Sequence, residues 1–141
     1  MPAITFFEED TKFKPKNKVA LRKWIKDTIV AEGYKLDELN YIFCSDAYLL
    51  QINQQYLNHD TYTDIVTFDN SEEEKVIVGD IFISVERIIE NAAKFKVSTD
   101  DELHRVIIHG ALHLLGYKDK TKASKTLMTN MEDKYLATRS F

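Results

Sequence analysis

His109-Gly110-Ala111-Leu112-His113-Leu114-Leu115-Gly116-Tyr117-Lys118-Asp119 is the stretch whose reading decides the fold. Two histidines four apart on a helix sit ~40° apart around its axis, so both rings face one point. Neutral imidazole is a good zinc ligand, and H-x-x-x-H on a helix is a recurring metal-binding spacing. Gly116 follows the second histidine by three residues, where it can end the helix and take a positive φ. The chain then turns back beneath the ring pair. Asp119 arrives three residues later, where a third ligand is expected.

This spacing is that of the metzincin metalloproteases, H-E-x-x-H-x-x-G-x-x-H. One element is absent: the glutamate that acts there as general base is Gly110 here. A peptidase mechanism of that type lacks its base. The residues alone therefore point to metal-dependent hydrolysis, with His109, His113 and Asp119 as the metal ligands.

Working outward, Thr99-Asp100-Asp101-Glu102 reads as a capping box opening the metal helix. Leu103, Val106, Ile107, Leu114 and Leu115 form its apolar series. His104 falls off the ligand face and is expected at the helix surface. Ile4 to Phe7 reads as a short strand, and Asn17 to Glu32 as an amphipathic helix burying Leu21, Trp24, Ile25 and Ile29. Leu39 to Cys44 reads as a strand, and Ser45 as the cap of a helix to about Tyr56. Asp64 to Phe68 is β-rich, and Val76 to Ser84 is a longer strand interrupted by Gly79-Asp80. Ser84 is placed to cap a helix to Phe95, and a last helix runs from about Lys122 to Ala137. The polar run Asp69 to Lys75 is the natural loop. Four strands and five helices predict one α+β domain over residues 1–141, with a four-stranded mixed sheet packed by helices and a zincin-like metal helix.

The 141 residues suit a single core. The lone cysteine, Cys44, can form no internal disulfide, which fits a reducing compartment. The first ten residues show neither a basic n-region nor a long apolar h-region, and no run approaches the ~20 apolar residues of a membrane helix. A cytoplasmic protein without a membrane partner is expected. Net charge is −4, divided as +3 over residues 1–31, −9 over 32–80 and +2 over 81–141. The basic groups gather in Lys12–Lys26 and Lys118–Lys125. They are either solvated helix faces or, if the fold brings them to one side, a dock for an anionic ligand.

The metal stretch resembles the YbeY family of metal-dependent endoribonucleases, whose pattern is H-G-x-L-H-L-x-G-Y-D-H. His109, Gly110, Leu112, His113, Leu114, Gly116 and Tyr117 match it. Residues Ile52 to Phe68 resemble the family block L-N-x-x-Y-R-x-x-D-x-P-T-D-V-L-S-F, and Gly79 to Ser84 its G-D-I-x-I-S. Met128 and Glu132 fit its terminal M-x-x-x-E. The blocks fall in the family's order over residues 52–132. The resemblance implies a zinc site in an α+β zincin-like fold. It also implies an endoribonuclease acting in ribosomal RNA maturation and ribosome quality control, with ribosomal RNA, the ribosome and assembly proteins as partners. The alternative is a ribosome-associated factor with a mainly structural metal.

Two departures stand out. The family's third histidine aligns with Asp119, whose carboxylate lowers the site's charge by one unit and widens metal choice from zinc towards manganese or nickel. The family's arginine after tyrosine is Leu57, leaving His59 or Lys118 to take over any phosphate contact. Asp64 and Asp80 are either acceptors orienting the ligand histidines or caps at strand ends. Glu132 is expected as a partly buried carboxylate paired with a base, and Met128 as core. The attacking group is either water activated by the metal or a ribose 2′-OH.

Overall fold

The computed structural model describes residues 3–57 and 64–141. The side chain of Leu57 and all of His59 lie outside them, so their part in phosphate contact is not addressed by the structure. Among the described residues the elements are strand β1 (Ile4–Glu9), helix α1 (Lys18–Ala31), strand β2 (Lys35–Cys44), helix α2 (Asp46–Leu57), strands β3 (Ile65–Asp69) and β4 (Val76–Ser84), and helices α3 (Val85–Phe95), α4 (Thr99–Leu114) and α5 (Lys122–Leu136). This is the expected α+β content of four strands and five helices.

The strands form one mixed sheet in the order β1-β2-β4-β3. The first three in that order run parallel, and β3 closes the edge antiparallel to β4. Hydroxyl caps fix several helix starts. Ser84 Oγ accepts from the Arg87 N–H and Ser45 Oγ from the Tyr48 N–H, as their positions predict.

Alternation along the strands splits the sheet into two faces. Leu39, Tyr41 and Phe43 of β2 and Ile81 and Ile83 of β4 join Ile107, Ile108, Ala111 and Leu112 of α4 in the main core. On the other face Leu49 and Ile52 of α2 pack with Cys44 and Val66, against Phe68 and Phe82. The fully buried Tyr41 donates its hydroxyl to the Ile107 carbonyl at 3.0 Å, pinning the middle of α4 to the centre of the sheet. Cys44 is buried, and burial, then the charges of Asp10, Asp46 and Glu9, push its thiol up to about 12. It is neither a ligand nor a nucleophile at neutral pH.

Three details differ from the sequence expectation. Strand β4 is continuous through Gly79-Asp80. The glycine marks a close approach: a Cβ there would stand 2.7 Å from the Phe68 carbonyl oxygen of β3 and 3.0 Å from a Leu114 methyl. The cap of α4 is Ser98, not Thr99, its side chain accepting from the Asp101 N–H, so Glu102 is released from capping and buried. His104 is buried, not a surface residue. Its ring lies edge-on to Trp24 and Phe141, and its Nδ1 accepts from Arg139 at 2.8 Å.

Candidate metal centre

Beyond its first turn α4 is buried almost all round. The exceptions, Arg105, His109 and His113, follow one another at intervals of four and form a single partly open stripe. Hydrophobic burial on every other face thus leaves one direction for chemistry, and both candidate ligand histidines lie along it. Gly110 explains how closely this helix sits. A Cβ there would come 2.9 Å from an Ile65 methyl of β3 and 3.0 Å from two methyls of Ile81. The position that carries a glutamate base in metzincins is pressed against the sheet, so no such base fits.

After Leu114 the helix ends as Gly116 takes φ +100°, and the Gly116 and Tyr117 N–H groups close on the carbonyls of His113 and Leu112. This turn brings Asp119 back to the histidines. Its Oδ2 is 3.3 Å from His109 Nε2 and 3.4 Å from His113 Nε2. The three donor atoms all lie within 4.8 Å of one another. The rings themselves are nearly perpendicular, with centroids 4.5 Å apart.

The other nitrogen of each ring is occupied. His109 Nδ1 donates to Glu132 Oε2 at 2.6 Å, and His113 Nδ1 donates to the Tyr117 carbonyl at 3.0 Å. Both imidazoles, when neutral, are thereby held as the tautomer whose bare Nε2 faces Asp119. Glu132 is in turn bonded through its other oxygen by Arg105 Nη1 at 2.7 Å, while Arg105 Nη2 reaches Asp133 at 2.6 Å. The expected base beside Glu132 is therefore two bases, one of them a ligand histidine. Met128 is core, as expected.

This donor set fits a divalent cation. Bonds of ~2.0–2.1 Å in a tetrahedron put ligand atoms ~3.3–3.4 Å apart, the separation found between each Nε2 and Oδ2. The same distances are long for charge-assisted hydrogen bonds, which run ~2.7–2.9 Å. Two ring lone pairs and a carboxylate oxygen converging on one point repel each other unless a cation or a proton lies between them. Burial opposes charge on His109, but Glu132, then Asp119 and Asp64, outweigh it and hold the ring above its usual range. His113 is held below, by burial and then by His109.

The two acidic candidates separate. Asp64 precedes β3 beside His109, its carboxyl raised by burial against the pull of the His109 charge. Its carbonyl also accepts the Ser84 N–H at 3.0 Å, so it ends the strand as well. Asp80 points to the opposite face, where it accepts from Asn40 Nδ2 at 3.0 Å and Asn70 Nδ2 at 3.3 Å. It ties strands together and has no part in the site. Of the two lysine groups, Lys16 and Lys118 lie far apart. Lys16 reaches Asp100 in the first turn of α4, whereas Lys118 follows its last, and the 16-residue helix between them is ~24 Å long.

Residues 4–140 match the profile of the family described as Endoribonuclease YbeY. The chain belongs to the YbeY family. An endoribonuclease YbeY of Cytophaga hutchinsonii is 51% identical over 138 residues, covering 98% of this chain and 96% of that one. The YbeY protein of Flavobacterium psychrophilum is 49% identical over 130 residues, 92% of each chain. That of Bacteroides thetaiotaomicron is 46% identical, covering 97% of this chain and 99% of its own. A Thermotoga maritima protein solved in solution superimposes with a TM-score of 0.64 at 28% identity, over 94% of this chain and 86% of the other. The YbeY resemblance of the four sequence blocks thus extends across nearly the whole chain, including β1 and α1, which those blocks left out.

Proposed function

We propose that this chain is a metal-dependent endoribonuclease that hydrolyses phosphodiester bonds in ribosomal RNA during its maturation and quality control, in the cytoplasm. The observation that carries the reading is the convergence of His109 Nε2, His113 Nε2 and Asp119 Oδ2 on one point, in a chain of the YbeY family. Zinc suits two imidazoles and one carboxylate, with nickel or manganese as alternatives.

A bound divalent cation supplies Lewis acidity towards a phosphoryl oxygen and lowers the pKa of a water beside it. The remaining work falls to the chain's own groups. Glu132 and the Tyr117 carbonyl orient the two rings. Arg105 holds the Glu132 carboxylate in place through its other oxygen. The half-exposed Asp119 leaves the centre open to a substrate on that side. Lys118, Lys120 and Lys122, all exposed around Asp119, place positive charge where an RNA backbone would approach. No base stands at Gly110, so the proton of the attacking group leaves by another route. No helix among the described residues is long and apolar enough to cross a membrane.

Three protein ligands leave a coordination position free, which supports an enzyme over a factor with a purely structural, four-ligand metal. The test compares wild type with His113→Ala on structured RNA after loading with the same divalent metal. Cleavage that needs metal and disappears in the variant supports the reading. Cleavage that persists in the variant refutes it. The product ends then tell which group attacks: a 2′,3′-cyclic phosphate marks the ribose 2′-OH.

A further inference from the structure

Beside the metal loop lies a cleft of about 410 Å³ that the metal chemistry does not use. Its wall includes Glu32, Tyr34, Lys75, Tyr117, Lys118 and Leu127. It adjoins the centre through the chain itself. The carbonyl of Tyr117 holds His113, and Lys118 immediately precedes Asp119.

The cleft combines three kinds of surface. Tyr34 and Tyr117 supply aromatic rings, and Leu127 is a large apolar side chain left 50% exposed on α5. Lys75 and Lys118 supply ammonium groups. Its one carboxylate, Glu32, is engaged by the hydroxyls of Tyr117 and Tyr135, so it bonds tyrosines already. The rings are fixed as well. Tyr34 donates to the Leu115 carbonyl at 3.1 Å, and Tyr117 to Glu32 at 2.5 Å.

Lys75 adds an independent observation. It adopts φ +63°, a left-handed conformation that is strained for a non-glycine residue. Glycine or asparagine would serve that turn more cheaply. The lysine instead carries its ammonium to 4.5 Å from the centre of the Tyr34 ring. A strained residue thus places a cation on an aromatic platform.

Fixed aromatic faces with apolar and cationic neighbours are the surface on which proteins stack unpaired bases and hold the adjoining phosphates. We infer that this cleft binds one unpaired nucleobase next to the phosphate that is cleaved, with Tyr34, Tyr117 and Leu127 packing on the base and Lys75 and Lys118 facing its phosphates. The inference rests on the RNA reading above and names the part of the RNA this surface takes.

The test uses the full chain and a short single-stranded RNA, intact or with an abasic nucleotide scanned along it, in binding by fluorescence anisotropy. Binding needs no turnover, so it is read separately from cleavage. One abasic position is expected to weaken binding about five- to tenfold. Leu127→Ser, at an exposed side chain, should erase part of that difference while changing the affinity for the abasic strand little, whereas Lys75→Ser, which removes a phosphate contact, should weaken both strands alike. Tyr34→Leu should act as Leu127→Ser does, with its circular dichroism compared to the parent. If RNA is bound and cleaved but Leu127→Ser and Tyr34→Leu weaken intact and abasic strands by the same factor, the cleft holds no base and the nuclease reading stands. If abasic substitution has no effect at any position, the inference likewise fails. If no RNA is bound or cleaved under any metal condition, both readings fall together.

Discussion

Glu132 Oε2 accepts the His109 Nδ1 proton at 2.6 Å while its Oε1 accepts from Arg105 at 2.7 Å, so one buried carboxylate links a ligand histidine to a guanidinium on the same helix. A merely structural ion pair would leave metal affinity alone. Removing an outer partner of a metal-bound histidine typically costs about 10–100-fold in affinity. Glu132→Gln is therefore expected to weaken metal binding within that range, in competition with a chelator of known affinity. An unchanged affinity would mean that Glu132 only braces α4 against α5.

Asp119 stands where the sequence resemblance places a third histidine, and its replacement should cost more than that of Glu132. Asp119→Asn keeps the shape and removes the anionic oxygen that stands 3.3 and 3.4 Å from the two Nε2 atoms. Metal affinity should fall beyond the roughly 100-fold upper bound set for an outer partner. The fold should survive, because the Asp119 side chain lies outside the core. Asp119→His should tighten zinc if the loop retreats enough to admit the ring. Equal zinc affinity in Asp119→Asn and the parent would remove Asp119 from the ligand set.

Gly110→Ala tests the contact between α4 and the sheet. The added methyl meets Ile65 and Ile81 at 2.9 and 3.0 Å. Overpacking of this kind costs about 1–3 kcal/mol, against about 1 kcal/mol gained in helix propensity. A net loss of up to about 2 kcal/mol is expected in urea unfolding. A variant as stable as the parent would show that the helix can move off the sheet at no cost.

His104 makes stability depend on pH. Burial, then the Arg139 charge, hold its pKa below the usual value, against the upward pull of Asp100 and Asp101. The folded chain therefore binds this proton less readily than the unfolded chain. The stability concerned is present above the unfolded value of ~6.5 and is lost as pH falls through the folded pKa. His104→Gln can still accept from Arg139 but cannot be protonated. The difference in stability between wild type and variant should shift against wild type as pH drops below about 6.5. Parallel losses in both proteins would show that His104 contributes nothing to acid sensitivity.

The exposed lysines around Asp119 predict a salt-dependent RNA affinity. Each lysine that neutralises a phosphate adds ~0.7–0.9 to the slope of log K against log salt. Replacing Lys118, Lys120 and Lys122 together with glutamate should flatten that slope and weaken binding. An unchanged slope would identify them as a solvated face.

Much of this was visible in the sequence because local signals agree with the fold. Ser45 and Ser84 cap where hydroxyls precede apolar periodicity, and Leu21, Trp24, Ile25 and Ile29 bury as one stripe. The ligand pair was legible because helix geometry alone aligns residues four apart. What required the third dimension was tertiary in origin. Gly79 reads as a break in isolation, yet it lets the β3 backbone and Leu114 come close. Ser98 and Thr99 offer the same cap chemistry one residue apart, and burial of Glu102 decides between them. His104 lies off the ligand face, but α4 is covered there by Trp24 and Phe141 from distant parts of the chain. Glu132 reaches His109 across 23 residues, and the Tyr34 cleft joins segments that no short motif connects.

His109, His113 and Asp119 are proposed to form a site for one divalent metal ion. The most direct test is calorimetric titration of chelator-stripped protein with zinc, in wild type and His113→Ala. One equivalent bound by wild type and none by the variant at the same concentration is the predicted result. Zinc binding that is absent from wild type, or unchanged in His113→Ala, would contradict it.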